Sequence, residues 1–156
     1  MKKHSILFVD DELHLIHGLK RAFYSCRDKW NMFFALSGEE ALELMKNNNI
    51  DVIVSDMKMP IMDGAELLNR VKELYPQTIR IILSGHSDEG MILRSTKSSH
   101  QFVPKPCDPD VLKNAIEKSL ILRDLLKDEN LIKIVSGITV LPSLPDLYYK
   151  VIEELN

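Results

Sequence analysis

Val52-Ile53-Val54-Ser55-Asp56-Met57-Lys58-Met59-Pro60-Ile61-Met62-Asp63-Gly64 holds the pattern that decides the fold of this 156-residue chain. It opens with a short β-branched run that has almost no polar content, as a strand covered on both faces of its sheet requires. A carboxylate ends the run, and Asp63-Gly64 then breaks the chain before a helical period in Leu67, Leu68, Val71 and Leu74, closed by Tyr75-Pro76. The same unit recurs on either side. Ile6-Leu7-Phe8-Val9 reads as a first strand, followed by Asp10-Asp11-Glu12 and a helix with Leu15, Ile16, Leu19, Ala22 and Phe23 on one face. Residues 31–36 read as a second strand. Ser37-Gly38-Glu39-Glu40 opens the next helix, which runs through Met45, with Ser37 as N-cap and Glu40 completing a capping box. Residues 79–83 form a fourth strand, a weaker helix spans roughly 88–96, and residues 101–103 form a short fifth strand ending at Pro104. The last helix begins near Asp108-Pro109, where Asp108 caps and Pro109 takes the first helical position. Strands alternating with helices in this way predict an α/β, doubly wound, five-stranded parallel sheet with right-handed crossovers.

Hydrophobic residues make up 45% of the chain and charged residues 28%, the balance of a globular protein. The net charge of −3 gives no general electrostatic reason to expect nucleic acid or an anionic membrane as a direct partner. The two cysteines, Cys26 and Cys107, have neither C-x-x-C spacing nor neighbouring histidine pairs, so they read as neither a disulfide framework nor a zinc site. The basic start Met1-Lys2-Lys3-His4 is followed by an apolar run that stops at Asp10, too short for export, and no stretch approaches a membrane span. A cytoplasmic location is expected.

In a doubly wound sheet, ligands bind beyond the C-terminal ends of the strands. The first strand ends in Asp10-Asp11, the third in Ser55-Asp56 and the fourth in Ser84-Gly85, while the fifth runs into Lys105-Pro106. Asp10-Asp11 alone reads equally well as a solvated loop pair. Its coincidence with Asp56, Ser84 and Lys105 at four strand ends points instead to a site. Three converging carboxylates repel one another unless a cation sits among them, and a hard, oxygen-seeking ion such as Mg²⁺ fits that need. A carboxylate can also act as a nucleophile toward phosphorus, with an ammonium, a hydroxyl and a metal ion serving the phosphoryl oxygens. No glycine-rich loop follows the first strand, which argues against a nucleotide- or flavin-binding protein.

The segments Phe8-Val9-Asp10-Asp11-Glu12, Val54 through Gly64, Leu83-Ser84-Gly85 and Phe102-Val103-Pro104-Lys105-Pro106 together closely resemble the receiver domains of two-component response regulators, over about residues 4 to 124. The resemblance implies a flavodoxin-like receiver fold with strand order 2-1-3-4-5. It also implies a phosphorelay function, in which a histidine kinase or phosphotransfer protein phosphorylates Asp56 in a Mg²⁺-dependent reaction. By the same resemblance Asp11 is a direct metal ligand and Asp10 its outer-shell partner. Asp56 and the backbone carbonyl of Lys58 would complete the metal set, Lys105 would bind the phosphoryl group, and Ser84 and Phe102 would form the switch pair. A cis Lys105-Pro106 bond is implied as well. The resemblance describes a signalling switch rather than an enzyme acting on a separate substrate. The chain departs from the commonest pattern at Gly85, in a place more often held by alanine, and at Ser98-Ser99-His100-Gln101 before the fifth strand. Lys58 and His86 occupy positions that flank the path of hydrolytic water in the family.

Residues 1–124 are thus expected to form the receiver. Residues 125–156 are expected to be a linker helix and the truncated start of an output domain. There the stretch Leu141-Pro142-Ser143-Leu144-Pro145, followed by a new period in Leu147, Val151, Ile152 and Leu155, resembles the beginning of HDOD domains. The last helix carries a longer apolar series than one sheet needs. A homodimer through Leu120, Leu122, Leu125 and Leu126 is one expectation, and a monomer with its tail folded back is the other.

Overall fold

The computed structural model describes residues 2–85 and 98–126. The helix expected at 88–96, His86 and the whole segment after residue 126 lie outside the described residues. The elements are β1 (His4–Val9), α1 (Leu13–Ala22), a 3-10 turn (Tyr24–Cys26), β2 (Trp30–Ala35), α2 (Gly38–Asn47), β3 (Val52–Asp56), α3 (Gly64–Leu74), β4 (Ile79–Ser84), β5 (Gln101–Pro104) and α4 (Pro109–Leu126). The strands form one sheet in the order β2-β1-β3-β4-β5, and every neighbouring pair is parallel.

The period-2 alternation of side chains divides the core between the two faces. Ile6 and Phe8 of β1, Val52 and Val54 of β3, and Ile79, Ile81 and Leu83 of β4 pack with Phe23, Leu112, Ala115, Ile116 and Leu120, beneath α1 and α4. Leu7, Val9, Ile53 and Ile82 point the other way, onto Ala41, Met45, Leu67, Leu68 and Val71 of α2 and α3. Phe8 stacks on both Phe23 and Phe34, and Phe23 meets Trp30 edge-on, closing the core beside the 3-10 turn.

The helix starts follow their capping residues. Ser37 Oγ accepts from the Glu40 N–H and Asp63 Oδ1 from the Glu66 N–H, while Glu40 reaches back to the Leu36 N–H rather than that of Ser37. Asp108 accepts from the Asp110 N–H at the head of α4. Each cap satisfies a donor that the helix itself cannot, a contribution of about 1 kcal/mol.

Periodicity marks an apolar stripe but not whether a neighbour covers all of it. Ile16 and Phe23 are buried as expected, whereas Leu15 and Ala22 are exposed and line a groove between α1 and α4. Leu74, the last residue of α3, is also exposed. On α4, Leu120 is buried in the domain's own core and Leu122 packs partly against it, so neither is free to drive association. Among the side chains described on that helix, the exposed large apolar ones are Val111, Ile121 and Leu125, and the side chain of Leu126 lies outside the description.

Two buried arginines brace the sheet edge opposite the strand C-termini. Arg80 gives its guanidinium protons to the carbonyls of Thr78, Pro76 and Ser98, and it also contacts the ring of His100. Arg123 of α4 pairs with Asp51, just ahead of β3, at 3.0 Å.

Two glycines test the packing in opposite directions. A Cβ on Gly64 would run into the carbonyl oxygen of Asp56, whereas one on Gly18, inside α1, would meet nothing within 4 Å. Gly64→Ala should therefore cost about 1–3 kcal/mol through overpacking against backbone. Gly18→Ala should add about 0.5–1 kcal/mol by removing glycine's entropy from a helix interior. Urea unfolding of the two variants beside the parent protein checks both signs.

Candidate functional site

The strand register delivers the polar residues to one edge. Val9 lies opposite Ser55, Asp56 opposite Leu83, and Ser84 opposite Pro104, so Asp10, Asp56, Ser84 and Lys105 leave four adjacent strands at the same level. Backbone hydrogen bonds fix these exits to one another. The Asp10 N–H donates to Ala35 at 3.1 Å, the Met57 N–H to Leu83 at 3.0 Å, and the Lys105 N–H to Ser84 at 2.7 Å.

The side chains meet above this edge. Lys105 Nζ lies 2.6 Å from Asp56 Oδ1 and 3.5 Å from Asp10 Oδ2. Asp56 Oδ1 also accepts from the Met57 N–H at 3.0 Å, and Asp10 Oδ1 from the Glu12 N–H at 2.9 Å. Asp10 and Asp56 are buried, and Asp11 is exposed beside them. One carboxylate oxygen from each of the three lies within 4.8 Å of the others. Three carboxylates facing one ammonium leave an excess of negative charge. Burial pushes the Asp56 carboxyl above its ordinary range, partly offset by the hydrogen bond and charge of Lys105. Burial alone would lower Lys105, but its contacts with Asp56 and Asp10 outweigh that and raise it, so the ammonium stays charged. The donor set is all oxygen, without His or Cys, and its spacing suits a hard divalent ion such as Mg²⁺ rather than zinc.

The loop after Asp56 is anchored on both sides. Met57, Met59 and Met62 are all buried, as their place around the loop predicts, and the Gly64 N–H closes the loop onto the Met57 carbonyl at 2.8 Å. Lys58 sits exposed in this loop. Ser84 is buried at the end of β4, and Phe102 is half-buried on β5 opposite Ile82, against the core of the α2–α3 face. The Lys105–Pro106 peptide is cis. Cys107 follows near the start of α4, and burial pushes its thiol pKa up, as for a structural cysteine rather than a reactive one. His100 contacts buried Arg80 through both ring nitrogens.

Sequence reasoning missed two contributors to the site. Gly64 registered only as a chain break, although it is what lets α3 approach the backbone of Asp56. The Met57 N–H, shared between Leu83 and the Asp56 carboxylate, is a main-chain donor with no residue signature. A groove of about 560 Å³ between α1 and α4, lined by Leu15, Leu19, Pro106 and Leu112, opens beside Asp10 and Lys105. Among the described residues no helix is long and apolar enough to cross a membrane.

Known proteins are similar to this chain in sequence and in fold. The hydrogenase transcriptional regulatory protein HoxA of Bradyrhizobium diazoefficiens is 29% identical over 126 residues, which cover 80% of this chain and 25% of HoxA. The chain thus spans about a quarter of the length of such relatives. Sporulation initiation phosphotransferase F of Bacillus subtilis is 31% identical over 79% of this chain and 98% of its own length. The crystal structure of the signal receiver domain of an HD domain-containing protein from Pseudomonas fluorescens Pf-5 matches with a TM-score of 0.74 and 27% identity, over 79% of this chain and 98% of that one. Residues 6–117 match the model of the response regulator receiver domain, and with the order of the sheet and the carboxylates at its edge, the chain belongs to that family.

Proposed function

We propose that Asp56 is the phosphoacceptor of this receiver, taking its phosphoryl group from a histidine kinase or phosphotransfer protein. The observation that carries this reading is the 2.6 Å contact between Lys105 Nζ and Asp56 Oδ1 inside a cluster of three carboxylates. In the transfer, a carboxylate oxygen of Asp56 forms a P–O bond as the P–N bond of a phosphohistidine breaks and the departing imidazole takes up a proton. The Lys105 ammonium and the Ser84 hydroxyl stabilise charge on the phosphoryl oxygens as it develops. Asp10, Asp11, Asp56 and the Lys58 carbonyl would hold a Mg²⁺ ion, which when bound neutralises a further phosphoryl oxygen and the repulsion among the carboxylates. The domain's catalysis is confined to its own phosphorylation and dephosphorylation. Ser84 and Phe102 form the switch pair: the hydroxyl moves toward the phosphoryl group and the half-buried ring fills the space it leaves.

Residues 1–124 form the receiver in this reading, and 125–156 a linker and the start of an HDOD-like output domain, in the cytoplasm. A receiver from an HD domain-containing protein stands among the similar structures, which supports an output domain of that general kind. The exposed Val111, Ile121 and Leu125 make α4 the surface for homodimerisation.

Incubation with acetyl phosphate and Mg²⁺ should add one phosphoryl group, seen by intact-protein mass spectrometry and labile to hydroxylamine. Asp56→Asn should abolish the addition, and undiminished labelling of that variant would remove Asp56 from the role.

Metal binding should depend more on Asp11 than on Asp10. Asp10 already has both oxygens engaged by the protein, whereas Asp11 is exposed and able to turn onto an ion. In a Mg²⁺ titration followed by NMR, Asp11→Ala should bind at least about tenfold more weakly, and Asp10→Ala should lose less. The reverse order would exchange the two roles.

The chain should sediment as a dimer at micromolar concentration and become monomeric when Ile121 and Leu125 are both changed to Asp. A dimer that survives both charges lies elsewhere on the molecule.

A further inference from the structure

Ile61 stands at the apex of the loop that follows Asp56, with a backbone φ of 70°. Among the described residues it is the only one other than glycine with a positive φ. The Met62 N–H donates to the Pro60 carbonyl at 2.8 Å, which closes a γ-turn around Ile61 in its strained hand. A β-branched residue is the least suited to this region, which glycine and asparagine tolerate far better. The side chain recovers nothing by packing, since Ile61 is 94% exposed, while Met59 and Met62 on either side are buried. The fold alone therefore gives no reason for isoleucine here. Backbone strain of this kind persists where the surrounding structure imposes it, and it clusters at active sites and ligand clamps.

In the sheet, β2, β1 and β3 are consecutive, and after each comes an exposed apolar side chain: Leu36 in the loop after β2, Leu13 at the first residue of α1 and Ile61 in the loop after β3, exposed by 40%, 52% and 94%. All three follow the C-terminal ends of their strands, the same edge that carries the acidic cluster, and so make an apolar rim on that edge, where Asp56 is only 6% exposed. A small phosphodonor reaches Asp56 without touching this rim. A protein that carries its phosphoryl group on a side chain must rest on the loops to deliver it.

We propose that Ile61 is a specificity-determining residue for the phosphodonor protein, an apolar projection that the donor's surface must accommodate when its phosphohistidine reaches Asp56. The proposal rests on Asp56 being the phosphoacceptor. The strained turn holds the side chain outward in one fixed direction, so the ordering cost of the contact is met before the donor arrives. Leu13 and Leu36 continue the same surface, and a donor that matches all three has an apolar patch flanking its histidine.

The test compares two donors on the same variants. Phosphoramidate is the small donor. The protein donor is the autophosphorylated catalytic core of a histidine kinase, chosen as the fastest donor to the parent protein in a purified panel. Ile61→Asn should raise the thermal midpoint, because asparagine tolerates the turn, so loss of folding cannot explain a loss of transfer. Phosphoramidate labelling should stay within about twofold of the parent. Transfer from the kinase should show a KM raised by about tenfold or more with little change in kcat, the mark of a lost binding contact. Ile61→Val should retain most of the parent's transfer. Kinase transfer to Ile61→Asn within about twofold of the parent overturns the proposal. So does an equal fall with both donors, which would make Ile61 a support of the pocket itself. Absence of phosphoramidate labelling in the parent overturns the Asp56 reading, and this proposal with it.

Discussion

Like charges in a confined space constrain this molecule more than any other interaction. Asp10, Asp11 and Asp56 bring carboxylate oxygens within 4.8 Å of one another, and two of these residues are buried. At such separations each carboxylate raises the energy of the others, and burial raises it further by removing water. The neighbourhood supplies an answer at each position. Lys105 places an ammonium between Asp56 and Asp10, backbone N–H groups of Met57 and Glu12 bond one oxygen of each, and Asp11 stays in contact with solvent. The compensation is partial, and a net negative charge remains at the cluster.

Holding that arrangement is the task of the sheet. The four strands that carry it are hydrogen-bonded along their length, and the bonds from Asp10 to Ala35, Met57 to Leu83 and Lys105 to Ser84 carry the register past the strand ends into the loops. A shift of one residue in any strand would move its carboxylate or ammonium to the opposite face, away from the cluster. Close approach on the α3 side depends on Gly64, where any Cβ would collide with the Asp56 carbonyl. The apolar core beneath is therefore part of the site, since it sets the register.

Much of this was legible in the sequence, because hydrophobic runs and the polar residue that ends each run are local features. β3 and β4 are buried at every position and read as strands, and the capping residues Ser37 and Asp108 stand where their types predict. Less legible was anything that depends on which element covers which. Leu15, Ala22 and Leu74 fit an apolar period but face a groove or solvent, and Leu120 is consumed by the domain's own core. Arg80 gave no warning of burial, because its partners are mainly backbone carbonyls and the ring of His100, which only the folded chain brings together. Ile61 was invisible for a related reason: its strain is a property of φ, and its residue type argues against that φ.

β3 is tied at both ends to the segment that carries the chain onward. Ahead of its first residue, Asp51 pairs with Arg123 near the end of α4, and at its last residue Asp56 pairs with Lys105, shortly before α4 begins. The two ion pairs lie at opposite edges of the sheet, and α4 bridges them along the face where Leu112, Ala115 and Ile116 pack on the strands. A change of charge on Asp56 acts first on Lys105, because the ammonium is its nearest counter-ion. The Arg123–Asp51 pair stands at the other end of β3 and, among the described residues, shares no partner with Asp56 or Lys105. The far end of α4 is therefore the fixed point and the near end the responsive one. Any rearrangement that begins at Lys105 meets the packing of α4 on β3, β4 and β5 before it reaches Arg123.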